Sequence, residues 1–214
     1  MAAENLPINI IPPAPVATAS YDYVDLAEGA GFVTYYCYKQ SISGSTTYGL
    51  TRDTNLYSVE RETSGSATLD LDYDLPPFNL PQTIKGTAVF NGSHFIDGNQ
   101  AGGPQGSFYN VFIRKWDGTT ETEIASAVGP QLNVSAQNEN NQILVIPITI
   151  SSPVTFPIGS QLRLTVQHFL SGGLSSILYQ GHDPKNRDGN KITAAANLFT
   201  AQNIKIPFRI NLGV

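Results

Sequence analysis

The chain has little of what most folds and most chemistries need. It holds one cysteine, Cys37, in 214 residues, so no disulfide can form within it. Cys37 lies in the strand-like run Tyr35-Tyr36-Cys37-Tyr38, where a small buried apolar side chain is expected. Charged residues make up only 14% of the sequence, against about 25% in an average soluble domain. The formal charge is −5, and the longest basic passages are Arg114-Lys115 and Lys185 with Arg187. Neutralising phosphates takes a stripe of Lys and Arg, so nucleic acid is not an expected partner. No window reaches the ~18 apolar residues of a membrane helix, so no membrane is expected either. Met1-Ala2-Ala3-Glu4-Asn5 lacks a basic region followed by an apolar stretch, and the chain is read as a soluble protein made in a cytoplasm.

Histidine is equally scarce. His94, His168 and His182 match no zinc-site spacing. No Gly-x-Ser-x-Gly elbow, phosphate loop or dinucleotide fingerprint occurs. These absences lead to the expectation of no cofactor, no metal and no enzymatic activity.

What is present is period-two patterning. Leu69, Leu71, Tyr73 and Leu75 alternate with Asp70, Asp72 and Asp74, as one wet and one buried face of a strand require. Leu162, Leu164 and Val166 alternate with Arg163, Thr165 and Gln167, and His168 falls in phase with the core side. Ile204, Ile206, Phe208, Ile210 and Leu212 share one face of a last strand, where Pro207 implies an edge or a bulge. Strands are also expected over 31–39, 56–62, 83–90 and 174–179. Residues 143–150, nearly all aliphatic, read as a strand covered on both faces. Residues 111–116 and 120–127 flank Asp117-Gly118 and predict a hairpin with a type I′ turn. Only 190–199 looks weakly helical. The 19 glycines and 14 prolines gather between these runs, as turns demand.

With 41% hydrophobic residues and nine or ten strands, the expected fold is an all-β antiparallel β-sandwich, jelly-roll-like, with an extended N-terminal arm. Residues 1–20 form the arm and residues 21–214 a single sandwich domain. The arm interleaves prolines with aliphatics, Pro7, Ile8, Ile10, Ile11, Pro12, Pro13 and Val16 among them. Proline fixes an extended backbone, and the aliphatics want a surface, on this domain or on a partner subunit.

Three passages invite functional readings. Asp70, Asp72 and Asp74 suit a Ca²⁺ site or a glycosidase pair, but same-face side chains about 7 Å apart along a strand favour a solvated acidic face. Trp116, with Tyr109 near it, suits a sugar platform if exposed and packing if not. Gly181-His182-Asp183-Pro184-Lys185-Asn186-Arg187-Asp188-Gly189-Asn190 mixes catalytic residue types, yet reads as a polar loop or subunit contact through His182, Asp183 and Arg187.

The opening Tyr21-Asp-Tyr-Val-Asp-Leu-Ala-Glu-Gly-Ala-Gly-Phe-Val-Thr-Tyr35, the loop His182-Asp-Pro-Lys-Asn-Arg187 and the ending Ile204-Lys-Ile-Pro-Phe-Arg-Ile-Asn-Leu212 together resemble structural proteins encoded by tailed viruses of aquatic microbes. The resemblance covers both ends of the chain and the middle only thinly. It implies a virion protein: a capsid decoration (cement) protein that binds the major capsid protein, as a homo-oligomer with a trimer favoured, or a carbohydrate- or receptor-binding part of a tail or fibre. It carries no catalytic residues.

Overall fold

The computed structural model describes residues 30–42, 44–65, 68–97, 105–135, 138–171, 176–187 and 199–209. The expected arm, with Pro7, Ile8, Ile10, Ile11, Pro12, Pro13 and Val16, lies outside these residues, as does all of 190–199 except Phe199. The chain is all-β. The described residues form twelve strands: β1 (Ala30–Ile42), β2 (Ser45–Thr51), β3 (Arg61–Gly65), β4 (Leu69–Asp74), β5 (Gln82–Asp97), β6 (Gln105–Trp116), β7 (Glu121–Val128), β8 (Leu132–Val134), β9 (Glu139–Phe156), β10 (Gln161–Ser171), β11 (Ile177–Gly181) and β12 (Asn203–Arg209).

Hydrogen bonding runs in the order β3-β11-β5-β12-β1-β2-β4-β10-β6-β7, with β8 added to β6 and β9 to β5. Among the described residues every pairing is antiparallel except one bridge, Gly49 to Asp74, between β2 and β4. The path folds over at that bridge. Phe90 of β5 then meets Tyr109 of β6, ring centroids 6.0 Å apart, across the interior. This is the sandwich that alternating faces require, since each sheet must bury its oily side. Tyr73, Phe90, Tyr109, Ile113, Ile148, Leu162, Leu164 and Ile204 are all fully buried in the main core. A smaller cluster of Leu69, Ile96, Leu132, Val134 and Leu178 closes one end.

Several expectations need correction. Residues 56–60 are not a strand. Val59 donates its N–H to the Lys39 carbonyl at 2.9 Å, and Ser58 Oγ accepts from the Lys39 amide at 2.8 Å, so the segment's bonds leave no regular ladder. Residues 45–51, outside every expected strand, form β2, because Ser, Thr and Tyr pair across to β1 from Ser45↔Ile42 to Thr51↔Tyr36. The run 143–150 is covered on one face only: Ile143 and Val145 are 63% and 62% exposed, while Leu144, Ile146, Ile148 and Ile150 on the opposite face are buried in the main core. Of the two alternatives for Pro207 the bulge holds: β12 is flanked by β1 and β5, and Pro207 sits in a register shift between Lys205 and Phe208. At Asp117-Gly118 only Gly118 has positive φ, at 97°, which a type I′ turn does not allow. Asp117 Oδ1 closes the turn instead, accepting from the amides of Thr119 and Thr120 at 2.9 and 2.7 Å.

Candidate functional site

The loop after β11 is an irregular segment tied at several points to 58–60 and 199–201. It begins at Gly181, where an added Cβ would lie 2.6 Å from Thr200 Cα and 2.8 Å from the Phe199 carbonyl oxygen. Glycine is required there because the segment 199–202 passes directly over it. His182 then donates its amide to the Glu60 carbonyl at 3.1 Å, and Asp183 donates its amide to the Thr200 carbonyl at 2.8 Å.

Asp183 has no exposed surface, and its carboxylate is used fully. It accepts from the Arg187 amide at 2.9 Å, the Lys185 amide at 3.3 Å, and Arg187 Nε and Nη2 at 3.0 and 3.2 Å. A buried carboxylate persists only when so paired. Asn186 takes φ 51°, a left-handed turn that Asn tolerates. Its Oδ1 accepts from the amides of Thr200 and Ala201 at 2.9 and 3.2 Å, clasping the loop to the next segment. Arg187 reaches out to the Ser58 carbonyl at 2.5 Å and lies over the Tyr57 ring at 4.7 Å.

These contacts build a cleft of about 310 Å³ lined by Tyr57, Ser58, Val59, Glu60, Arg61 and Arg187. Tyr57 is 68% exposed at its mouth. Of the three loop residues expected at a contact surface, only Arg187 faces it. His182 and Asp183 are fully buried, because the polar loop finds its partners inside the fold.

Behind the cleft lies a buried polar cluster. The His182 ring packs edge-on to Tyr48 at 6.1 Å and places Nδ1 3.4 Å from the Tyr73 hydroxyl. Gln180 Nε2 donates to that hydroxyl at 3.3 Å, and Gln202 Nε2 approaches Cys37 Sγ at 3.5 Å. Burial drives the His182 imidazolium pKa down to about 3, with Lys39 lowering it further and Asp183 opposing. Burial also pushes the Cys37 thiol up to about 12 and the Tyr73 phenol well above its ordinary value. Lys39, ion-paired to Glu62, borders the cluster and lies over the Tyr48 ring at 5.3 Å.

Ser58, His182 and Asp183 are the residue types of a hydrolytic triad, but they are not joined as one. Ser58 Oγ donates to the His182 backbone carbonyl at 2.6 Å, the imidazole faces Tyr73, and the Asp183 carboxylate faces Arg187. Among the described residues no group of three or more His, Cys, Asp or Glu side chains is placed to hold a metal ion, and no helix is long and apolar enough to cross a membrane.

The other sequence candidates fall elsewhere. Tyr109 is fully buried, its hydroxyl bonded to the Ser93 carbonyl at 2.6 Å and its ring stacked on His168 at 4.2 Å. It therefore lines no sugar platform. Trp116 lies beneath the Arg163 guanidinium at 5.0 Å. The acidic face of β4 is laced to β10: Asp70 to Gln167 at 2.9 Å, Asp72 to Thr165 at 2.5 Å, and Asp74 to Arg163 through two bonds of 2.7 and 2.8 Å. Arg163 also binds Glu121 at 2.7 Å. The sequence showed this acidic row and missed its cross-strand partners, which depend on register. It also missed Tyr57, which carries no local signal beyond its aromatic ring.

No known family model and no curated protein sequence matches the chain. Solved structures that share its fold include a CocE/NonD family hydrolase from Staphylococcus aureus, with 11% identity, TM-score 0.50, 86% of this chain covered and 37% of the hydrolase. An aminopeptidase from a marine sediment archaeon, Thaumarchaeota archaeon, shows 10% identity, TM-score 0.51, and coverage of 81% of this chain and 36% of the other. The chain thus spans little more than a third of either protein. At such identities the likeness is one of fold. It corrects the expectation that the chain is not an enzyme: this sandwich is the fold of part of two hydrolytic enzymes, so its architecture excludes no enzymatic role.

Proposed function

We propose that the chain is a virion structural protein, a decoration (cement) protein that binds the major capsid protein across neighbouring subunits and stabilises the shell. The observation that supports this reading is the surface. Leu80, Val128, Ile143, Val145 and Ile158 are each 62–69% exposed on a chain with only 14% charged residues. Scattered exposed aliphatics are ordinary, but several on so weakly charged a surface suit a protein that works against neighbours. A homo-oligomer, with a trimer favoured, multiplies such weak contacts through effective concentration. Co-sedimentation of the purified chain with particles stripped of it tests the reading. Saturable binding that restores heat resistance to the shell is expected. No binding at any concentration would reject it.

A second reading rests on the Tyr57 cleft. An exposed ring flanked by Glu60, Arg61 and Arg187 is the layout that stacks a sugar and bonds its hydroxyls, and it would suit a receptor-binding part of a tail or fibre. A glycan array probed with the chain and with Tyr57→Ala separates the two: hits lost in the variant favour the sugar site, and no hits remove it.

A further inference from the structure

The two outward faces of the sandwich differ in kind. On one, β4, β10 and β7 present Asp70, Asp72, Asp74 and Glu121 around Arg163, tied together by ion pairs. Charges so arranged are costly to take out of water, and that face stays wet. The other outward face, on β9, β5, β12 and β1, carries a single charge across its middle. Register sets Pro147, Val89, Lys205 and Thr34 in one row, and Val145 and Thr149 flank Pro147 on the same face of β9. Lys205 is the charged member, and β9 has no charged residue from Asn140 to Phe156. Ile143, Val145 and Phe32 are 63%, 62% and 37% exposed there. The amides on this face are already bonded: Asn91 Nδ2 donates to Asn203 Oδ1 at 3.0 Å, and Asn203 Nδ2 to the Ala201 carbonyl at 2.8 Å. Covering them breaks neither bond.

We propose that this face is where two copies of the chain meet, each laying its own sheet on the other's. The area suits such a pair. Four strands at about 4.8 Å spacing, over the length from Ile143 to Ser151, make a patch about 20 Å by 30 Å. That is about 600 Å² in plan, and the relief of standing side chains brings it to about the 800 Å² that each partner of a stable complex buries. Sheet-on-sheet packing, the arrangement of the chain's own interior, accommodates the contact. The face offers no acid to Lys205 of the other copy. Its long stem lets the ammonium reach water at the rim, and the two like charges hold the pair to a weak, concentration-dependent one. A face that meets its own copy joins chains two by two, giving dimers, or hexamers where three-fold contacts form elsewhere. The proposal needs no shell, so its failure leaves the virion reading standing.

Two measurements on the isolated full-length chain test it. The first is sedimentation at rising concentration, on wild type and two variants. Wild type should pass from single chains to even-numbered assemblies. Val145→Lys adds a charge at an exposed position that the fold tolerates, and should weaken pairing about tenfold or more. Lys205→Met removes the like charge and should strengthen pairing about tenfold. The second is hydrogen exchange on wild type, which needs no variant: the amides of β9 should exchange more slowly at high concentration than at low, and those of β4 should not change. A wild type that stays single or forms only trimers, or exchange at β9 that ignores concentration, overturns the proposal. So does Val145→Lys that pairs as well as wild type, or Lys205→Met that pairs less well, since the ammonium would then be meeting an acid on a different surface.

Discussion

The buried histidine makes this fold acid-labile in a way that can be isolated. His182 is fully buried against Tyr48 and Tyr73, and its imidazolium pKa is depressed from 6.5 to about 3 by burial, with Lys39 adding and Asp183 opposing. Between those values the unfolded chain binds a proton that the folded chain refuses. Stability from this group is therefore complete above pH 6.5 and drains away as pH falls toward 3. One unit of pH in that window is worth about 1.4 kcal/mol, so the loss by pH 4.5 is about 2.5 kcal/mol. The assay is urea denaturation at steps of pH, run in parallel on wild type and His182→Gln, which keeps a polar side chain and cannot titrate. Carboxylates contribute to both curves and cancel in the difference. The expected outcome is a gap that narrows toward acid, with the wild type losing about 2.5 kcal/mol more than the variant between pH 7 and pH 4.5. Parallel curves would refute the reasoning, because they would mean that His182 takes its proton while folded.

Gly181→Ala should cost about 2–3 kcal/mol in chemical denaturation, since its Cβ meets backbone atoms of Phe199 and Thr200 that cannot swing aside. Cys37, buried and with its thiol raised to about 12, should ignore a thiol reagent at pH 8 in the native chain and react at once in denaturant; fast native labelling would show that the site opens. Arg163→Ala should cost about 1–2 kcal/mol, because Asp74 and Glu121 lose bidentate and single bonds at 2.7–2.8 Å. Arg163→Lys should recover only part of that loss, and full recovery would show that charge rather than fork geometry matters.

Much of the fold was legible in the sequence wherever one face of a strand is wet. β4 and β10 alternate residue by residue, and their oily members, Leu69, Tyr73, Leu162, Leu164 and Val166, are in the core. The pattern misled where burial depends on neighbours that the sequence does not adjoin. β9 is aliphatic on both faces, and nothing local tells that one face stays uncovered among the described residues. Residues 56–60 look like a strand, yet their amides and carbonyls are claimed by Lys39, His182 and Arg187, the last 129 positions away from Ser58. The same non-locality hid the site. Asp183 and Arg187 are four residues apart and their pairing could be guessed, but that the carboxylate is sealed inside while the guanidinium reaches Tyr57 follows only from where 57–61 and 199–202 pass. Polar residues in a Pro- and Gly-marked loop read as surface, and here most of their bonding is internal.

The most direct test of the account is electron microscopy of intact particles with and without this chain. Bound chain should add density of one sandwich per site at the boundaries between capsid subunits, lost together with shell heat resistance when the chain is stripped. Particles that carry no such density, or stripped particles that keep their full heat resistance, would contradict it.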